Sequence, residues 1–565
     1  MKSKKFIGIL SMLFLSCSVF LSACSESEQK KVTVEDDKQQ YLNIILDGEP
    51  QTLDQSKAVD SYSTQVLAEV NEALTRIEQD GKGKDIVKPA GAEKWDISED
   101  GLKWTFYLRD NQWSDGKKVT AEDYVYGIKR TLDPKVQSQY AFLLYPIKGA
   151  KEYNSSKNNI GKKLSSDILG VKALDDRTLE ITLESPCSYF LNLTSFKAMQ
   201  PQRKDLVEKY ADKYGTDAST MLYCGPFIIK QWIHNNKVEL VKNDNYWDSK
   251  SVKLEKVNMK IQKSDSTILN RLKNGSVDIV KVVKPEWKDK IDKSEKLNVV
   301  RIPEPATNFQ FYNQKNRLFS NDKVRKAFSL AIDREEVSKT LWKGLYTPAY
   351  GWVPPSLQID GEDFREKLNF EPIKKLKDDY PNPKVLLVEG LKELGMYTDP
   401  SKVTVNYLQP GTDSDQKEIA EYFQNMYYRN LGVHIKIDYV DYTTYVNRIQ
   451  SGDYQMSSSV WSADYNDPMT EFDLWVTGVN LINTGWSNKT YDSLIGEVST
   501  LGVDKKEERF QIFKEVETIL IEEDAVIAPT VYRNKQIYKH DYVKGVMIPL
   551  FGPQLELKYA YTQGR

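Results

Sequence analysis

Gly101-Leu102-Lys103-Trp104-Thr105-Phe106-Tyr107-Leu108 runs through Asp110-Asn111 and Trp113-Ser114-Asp115-Gly116 into Thr120-Ala121-Glu122-Asp123-Tyr124, and its apolar period changes on the way. The first part alternates, which puts Leu102, Trp104, Phe106 and Leu108 on one face of a half-buried strand. Asp110-Asn111 supplies the turn that ends it. Thr120, with Asp123 three residues on, has the pattern of a capping box, and Tyr124, Ile128 and Leu132 then recur at helical spacing until Asp133-Pro134. A second helix is predicted from near Asn321, with Val324, Ala327, Phe328, Ala331 and Ile332 on one stripe. Strands and helices follow one another in no strict βαβ order, so the fold class is mixed α/β. No repeat of 20 to 50 residues and no heptad run interrupts this pattern.

At 565 residues the chain exceeds one hydrophobic core and should divide into two or three domains. Its 79 basic and 81 acidic residues nearly cancel, leaving no bulk field to recruit nucleic acid. Any partner has to be recognised locally. The 33 Tyr and 11 Trp supply side chains that build cores and flat apolar binding walls alike.

The N-terminus reads as an export signal. Lys2, Lys4 and Lys5 form a positive region and Phe6 to Phe20 an apolar run of signal-peptide length, short for a membrane span. Leu21-Ser22-Ala23-Cys24 resembles the bacterial lipobox, so residues 1–23 are expected to be removed and Cys24 to carry the lipid that anchors the protein to a bilayer. Residues 24–40 then form a polar tether. Of the four cysteines, only Cys187 and Cys224 are left unassigned. An even pair in an oxidising compartment suggests a disulfide, the alternative being two buried thiols that never meet.

Signatures of chemistry are missing. His234, His434 and His540 are isolated, without a ligand at metal spacing, so no metal site is expected and no cofactor is implied. There is no G-x-S-x-G elbow, Walker loop or G-x-G-x-x-G. Nothing supports an enzyme.

Several stretches taken together resemble the extracytoplasmic solute-binding proteins that serve ABC importers of peptides, the oligopeptide-binding type of family 5. They are Ala92-Glu93-Lys94-Trp95-Asp96 with the strand and helix above, then Asn245-Tyr246-Trp247-Asp248, Asn274-Gly275-Ser276-Val277-Asp278-Ile279, Val324-Arg325-Lys326-Ala327, Ala331-Ile332-Asp333-Arg334 and Pro348-Ala349-Tyr350-Gly351. The resemblance implies a two-lobed periplasmic-binding-protein-like fold with an extra third domain and a ligand cleft between the lobes. Lobe I would comprise residues 41–61, 188–303 and 535–565, the extra domain residues 62–187, and lobe II residues 304–534. That layout puts Cys187 and Cys224 at or beside lobe I, which suits their pairing.

The function implied is capture of oligopeptides outside the cytoplasm and delivery to membrane-embedded permease subunits. The protein would work as a monomer on the outer face of the cytoplasmic membrane. A peptide-pheromone receptor is the variant within the class, and a surface hydrolase or chaperone on the same scaffold the alternative outside it. A carrier of many peptides must use the main chain and its terminal charges. By resemblance, one extended segment from each lobe does so here: Gly48 to Asp54, with Glu49 and Gln51, and Val460 to Pro468, with Val460, Trp461 and Ser462. Asp464 is expected to accept the peptide's ammonium, and Trp461 and Tyr442 to line side-chain pockets. Positions where enteric relatives carry basic residues for the C-terminal carboxylate read Gln416, Ile449 and Ser458, with Arg448 adjacent as a possible substitute. This favours a longer ligand, or one whose C-terminus is held differently. The enteric disulfide of the second lobe is also absent, with Pro305 and Ala463 near those positions.

Overall fold

The computed structural model describes residues 35–80, 84–156, 164–262, 266–282, 285–291, 297–479 and 481–565; the signal sequence, Cys24 and most of the tether lie outside the described residues. Strand β1 (Tyr41–Leu46) alternates half-buried and buried positions, with Leu42, Ile44 and Leu46 inward. Four strands, β2 (Ala92–Ile97), β3 (Lys103–Leu108), β4 (Val171–Asp175) and β5 (Thr178–Thr182), then make a separate antiparallel sheet in the order β2-β3-β5-β4. Trp104, Phe106 and Leu108 of β3 are buried as their alternation requires, whereas Leu102 stands just ahead of the strand. The helix Ala121–Leu132 starts at the capping box of Thr120 and Asp123 and buries Tyr124, Ile128 and Leu132. The second expected helix spans Asp322–Leu330, and Asn321 caps it by accepting from the Val324 N–H at 3.2 Å.

Nine further strands complete an eleven-stranded main sheet with β1 and the short strand Thr347–Pro348. They are β6 (Phe227–Ile233), β7 (Lys237–Lys242), β8 (Lys256–Ile261), β9 (Ile279–Val282), β10 (Leu297–Tyr312), β11 (Thr404–Pro410), β12 (His434–Val440), β13 (Met456–Ser462) and β14 (Ile527–His540). The spatial order is β12-β11-β13-β10-β14-β9-β1-β8-β7-β6. β1 is parallel to β8 and β9, and β11 to β12 and β13; the other neighbours in this order are antiparallel.

Only β10 and β14, of 16 and 14 residues, belong to both halves of this sheet. Leu297–Pro303 pairs with Asn534–His540 in the first half, and Thr307–Phe311 with Ile527–Tyr532 in the second, with a register shift between them. At the shift, Glu304 accepts from Lys281 Nζ at 3.2 Å and lies 3.3 Å from Arg533 Nε. The chain ends are stitched together on the first half, where Asp37 N–H donates to Thr562 O (3.1 Å) and Thr562 N–H to Gln40 Oε1 (2.9 Å).

Two packing contacts bear on how these parts meet. The helix Ser61–Val70 turns Val66, Leu67 and Val70 into the same apolar cluster as Leu42, Ile44 and Phe227, so it packs with the first half and not with the small sheet. The small-sheet unit also continues past residue 187, because Phe190 sets its ring edge-on against Trp104 at 5.2 Å. The expected pairing of the cysteines is corrected. Cys187 and Cys224 are both buried free thiols. They occupy different walls: Cys187 lies beside Tyr189 and near Asp467 of the second half, whereas the Cys224 N–H donates to Val70 O and its carbonyl accepts from Asn111 Nδ2. Burial pushes the Cys187 thiol up to about 12 and raises that of Cys224 as well, so neither is a ready nucleophile.

Candidate functional site

Strand β13 carries the feature that distinguishes the second half. One of its edges pairs with β10 along its whole length, from Tyr312↔Met456 to Ala306↔Ser462. Its other edge meets β11 only at Met456 and Ser457. The Ser458 carbonyl is taken by the Tyr445 hydroxyl at 2.7 Å. From Ser459 to Ser462 no strand among the described residues lies on that side, and main-chain groups pointing away from β10 form an open edge. Val460 and Ser462 are exposed on it, while Trp461 is half-buried and donates Nε1–H to Thr470 O at 3.1 Å.

The open edge ends at a carboxylate. Ala463 N–H donates to Pro305 O at 2.8 Å and Asp464 N–H to Thr470 Oγ1 at 3.1 Å, which fixes the backbone from which the Asp464 side chain projects. That carboxylate accepts no hydrogen bond from the described residues, and burial pushes it up to about 6 against the partial opposition of Lys197. Three residues on, Asp467 is also buried, but Arg509 Nη2 donates to its two oxygens at 2.9 and 2.8 Å and the Met469 N–H adds a third bond. Two further acids follow. Burial pushes Asp473 up to about 7 and Glu471 well above the carboxylate range, and neither Glu471 oxygen has a partner. A segment with this much uncompensated acidity favours a cation.

Across from Asp464 stand residues that sequence reasoning missed. Lys197 is 5% exposed, donates to Thr64 Oγ1 at 3.0 Å and lies over the rings of Tyr140 (4.3 Å) and Phe196 (4.4 Å). Tyr189 stacks on Tyr465 at 4.7 Å, and Asn192 Nδ2–H donates to Asn466 O at 3.1 Å, so the small-sheet side and the second half meet here. A cavity of about 80 Å³ lies at this junction, with Asp464, Tyr465 and Asn466 on one side, Thr64, Asn192 and Lys197 opposite, and the loop Pro549–Pro553 beside them. The one sequence signal for Lys197 was a lone charge within the otherwise uncharged run Leu193 to Gln200.

The facing segment expected to touch a ligand is otherwise occupied. Glu49 accepts from Trp232 Nε1 (3.0 Å) and the Asn235 N–H (2.7 Å) and pairs with His234 Nδ1 at 2.7 Å, so it pins the β6–β7 hairpin. Leu53 N–H donates to Gly215 O at 2.7 Å, and Asp54 takes both Arg130 Nη groups at 2.6 Å. Gln51 is exposed and its N–H reaches Asp60 Oδ2 at 3.4 Å. Neither Glu49 nor Gln51 lines the cavity beside Asp464. Tyr442, 72% exposed, starts the helix Tyr442–Ser451 and lies 6.0 Å from the ring of Tyr445. The possible substitute cation Arg448 is held by Asp438 at 2.5 Å and Asp453 at 2.9 Å. Gln416 accepts from Gln409, Ser458 Oγ from Tyr407, and Ile449 is buried. Among the described residues no group of three or more His, Cys, Asp or Glu is arranged to hold a metal.

Comparison with known proteins agrees with this architecture. The family model of bacterial extracellular solute-binding proteins, family 5 (middle), matches residues 87–482. The chain is 34% identical over 553 residues to the dipeptide-binding protein DppE of Bacillus subtilis, covering 98% of this chain and 97% of that one. Among solved structures, the substrate-binding domain of an oligopeptide ABC transporter from Bacillus anthracis superimposes with a TM-score of 0.75 at 32% identity, over 94% of this chain and all of that one. Listeria monocytogenes OppA bound to peptide gives a TM-score of 0.74 at 30% identity, over 93% and 99%.

Proposed function

From the premise that the chain belongs to family 5 of the bacterial extracellular solute-binding proteins, we propose that it captures oligopeptides outside the cytoplasm and hands them to the permease of an ABC importer. The observation that carries this reading is the open edge Ser459–Ser462 ending at the half-buried carboxylate of Asp464, which has no hydrogen-bond partner among the described residues. An extended peptide adds there as a strand, gaining main-chain hydrogen bonds that ignore its side chains. Its terminal ammonium then meets Asp464, where burial strengthens the charge-assisted bond.

The two halves of the main sheet are the lobes, and β10 with β14 is the hinge between them. A cavity of about 80 Å³ is far below the ~300–1,000 Å³ typical of small-ligand pockets. A peptide therefore enters with the lobes parted and is enclosed as they return to the arrangement described. Because Arg448 is engaged by Asp438 and Asp453, it is not free to clamp the far end of a tripeptide, which fits a longer ligand. Cys24 and the tether hold the carrier beside its permease at high effective concentration. Replacing Cys24 by Ala should release the protein from membranes into the medium.

Calorimetry with a mixed pool of hepta- to nonapeptides and its N-acetylated counterpart tests the central claim. The free-amine pool should bind about 100-fold more tightly, the size expected when one member of a buried charged pair is removed. Equal affinity for both pools would sink the role given to Asp464.

A further inference from the structure

Lys197 is a buried cation with spare donors. An ammonium group has three N–H donors, and among the described residues only Thr64 Oγ1 accepts one. The rings of Tyr140 and Phe196 cover its flanks and leave the remaining donors to the cavity that Lys197 shares with Asp464. Asp60 attracts it, yet the Asp60 carboxylate is engaged by the N–H and hydroxyl of Ser63, both at 2.7 Å. Asp464 attracts it too, but no ion pair within 4.0 Å joins the two. One small cavity thus has an unpaired carboxylate on one wall and an under-bonded ammonium on the other.

Buried charges of this kind are costly unless something completes them. A ligand that completes both carries an ammonium and an anion close together. An extended chain on the β13 edge brings its N-terminal residue to this point. The α-ammonium would go to Asp464, and the group within reach of Lys197 is the first side chain. We propose that Lys197 makes this a dipolar subsite, selecting peptides whose N-terminal residue is Asp or Glu. This inference rests on the peptide-binding reading and adds to it the chemical class of the first residue.

The test is calorimetry on the mature protein with hexapeptides that differ only at the first position, Asp, Asn, Ala or Lys, on an otherwise all-Ala chain. The Asp peptide should bind at least about tenfold more tightly than the Asn and Ala peptides, and the Lys peptide most weakly. In Lys197→Met the ratio of Asp-peptide to Ala-peptide affinity should fall to about one, whatever the absolute affinity for the Ala peptide. Equal wild-type affinities for the Asp, Asn and Ala peptides would overturn the subsite and leave peptide binding standing. Silence with all four would overturn both. An Asp preference that persists in folded Lys197→Met would also overturn the assignment, and the wild-type series alone decides the matter if that variant does not fold.

Discussion

The segments 48–54 and 459–464 both resemble ligand-contacting stretches of the family, yet they are finished to different degrees. In the first, Glu49, Leu53 and Asp54 are committed to Trp232, His234, Asn235, Gly215 and Arg130. In the second, an open strand edge runs into a carboxylate with no protein donor. What separates the two segments is therefore their unmet hydrogen bonds and charge. Asp467, buried but fully paired, shows the same contrast three residues from Asp464.

Breaking a finished pair should have the largest effect. Arg509→Met leaves Asp467 buried without its cation, and urea denaturation should show a loss of about 3–5 kcal/mol. A change near zero would mean that Asp467 is as free as Asp464, and the contrast would collapse.

Asp464→Asn tests the unfinished side. Peptide affinity should fall about 100-fold, or roughly 2.7 kcal/mol, while the unliganded protein becomes more stable. The sign follows from the carboxyl lying at about 6 in the fold against an ordinary 3.8. Protonation favours the fold, so that contribution is full below 3.8 and is lost as pH rises through about 6. Above pH 6 the ionised, unpaired group burdens the empty protein. The Asn variant should therefore gain about 1–2 kcal/mol at pH 7.5, allowing for partial exposure, and nothing near pH 3.5. Affinity of the parent protein for a free-amine peptide should weaken as pH falls below about 6. A variant that loses stability at pH 7.5 would place Asp464 among the structural carboxylates.

The smallest effect belongs to Glu49→Gln. Loosening the β6–β7 hairpin should lower stability by about 1 kcal/mol, with peptide affinity changed less than about threefold. A loss as large as that of Asp464→Asn would return Glu49 to the ligand.

Local pattern made much of the fold legible. Strict alternation marked β3, and the Thr120 and Asn321 caps marked two helices, because these depend on neighbours in the chain. What could not be read was contact between distant segments. The helix Ser61–Val70 has an apolar stripe that would suit either unit, and only the folded chain shows which core receives it. Cysteine counting suggested a bridge because it registers parity and compartment, not position. At the site, Asp464 was recognisable from its motif, but its lack of a partner was not. Lys197 escaped because one lysine in an uncharged run is meaningful only when a cavity lies against it.

The stitching of the two chain ends onto the first half of the main sheet makes that half a fixed reference. A donor dye at Arg565 and an acceptor at Tyr397, 82% exposed in the other half, would sit on opposite sides of the β10–β14 crossing. Their energy transfer would follow the swing of one half against the other in single molecules. Dwell times in the closed arrangement would then give the residence time of each peptide without labelling the peptide itself.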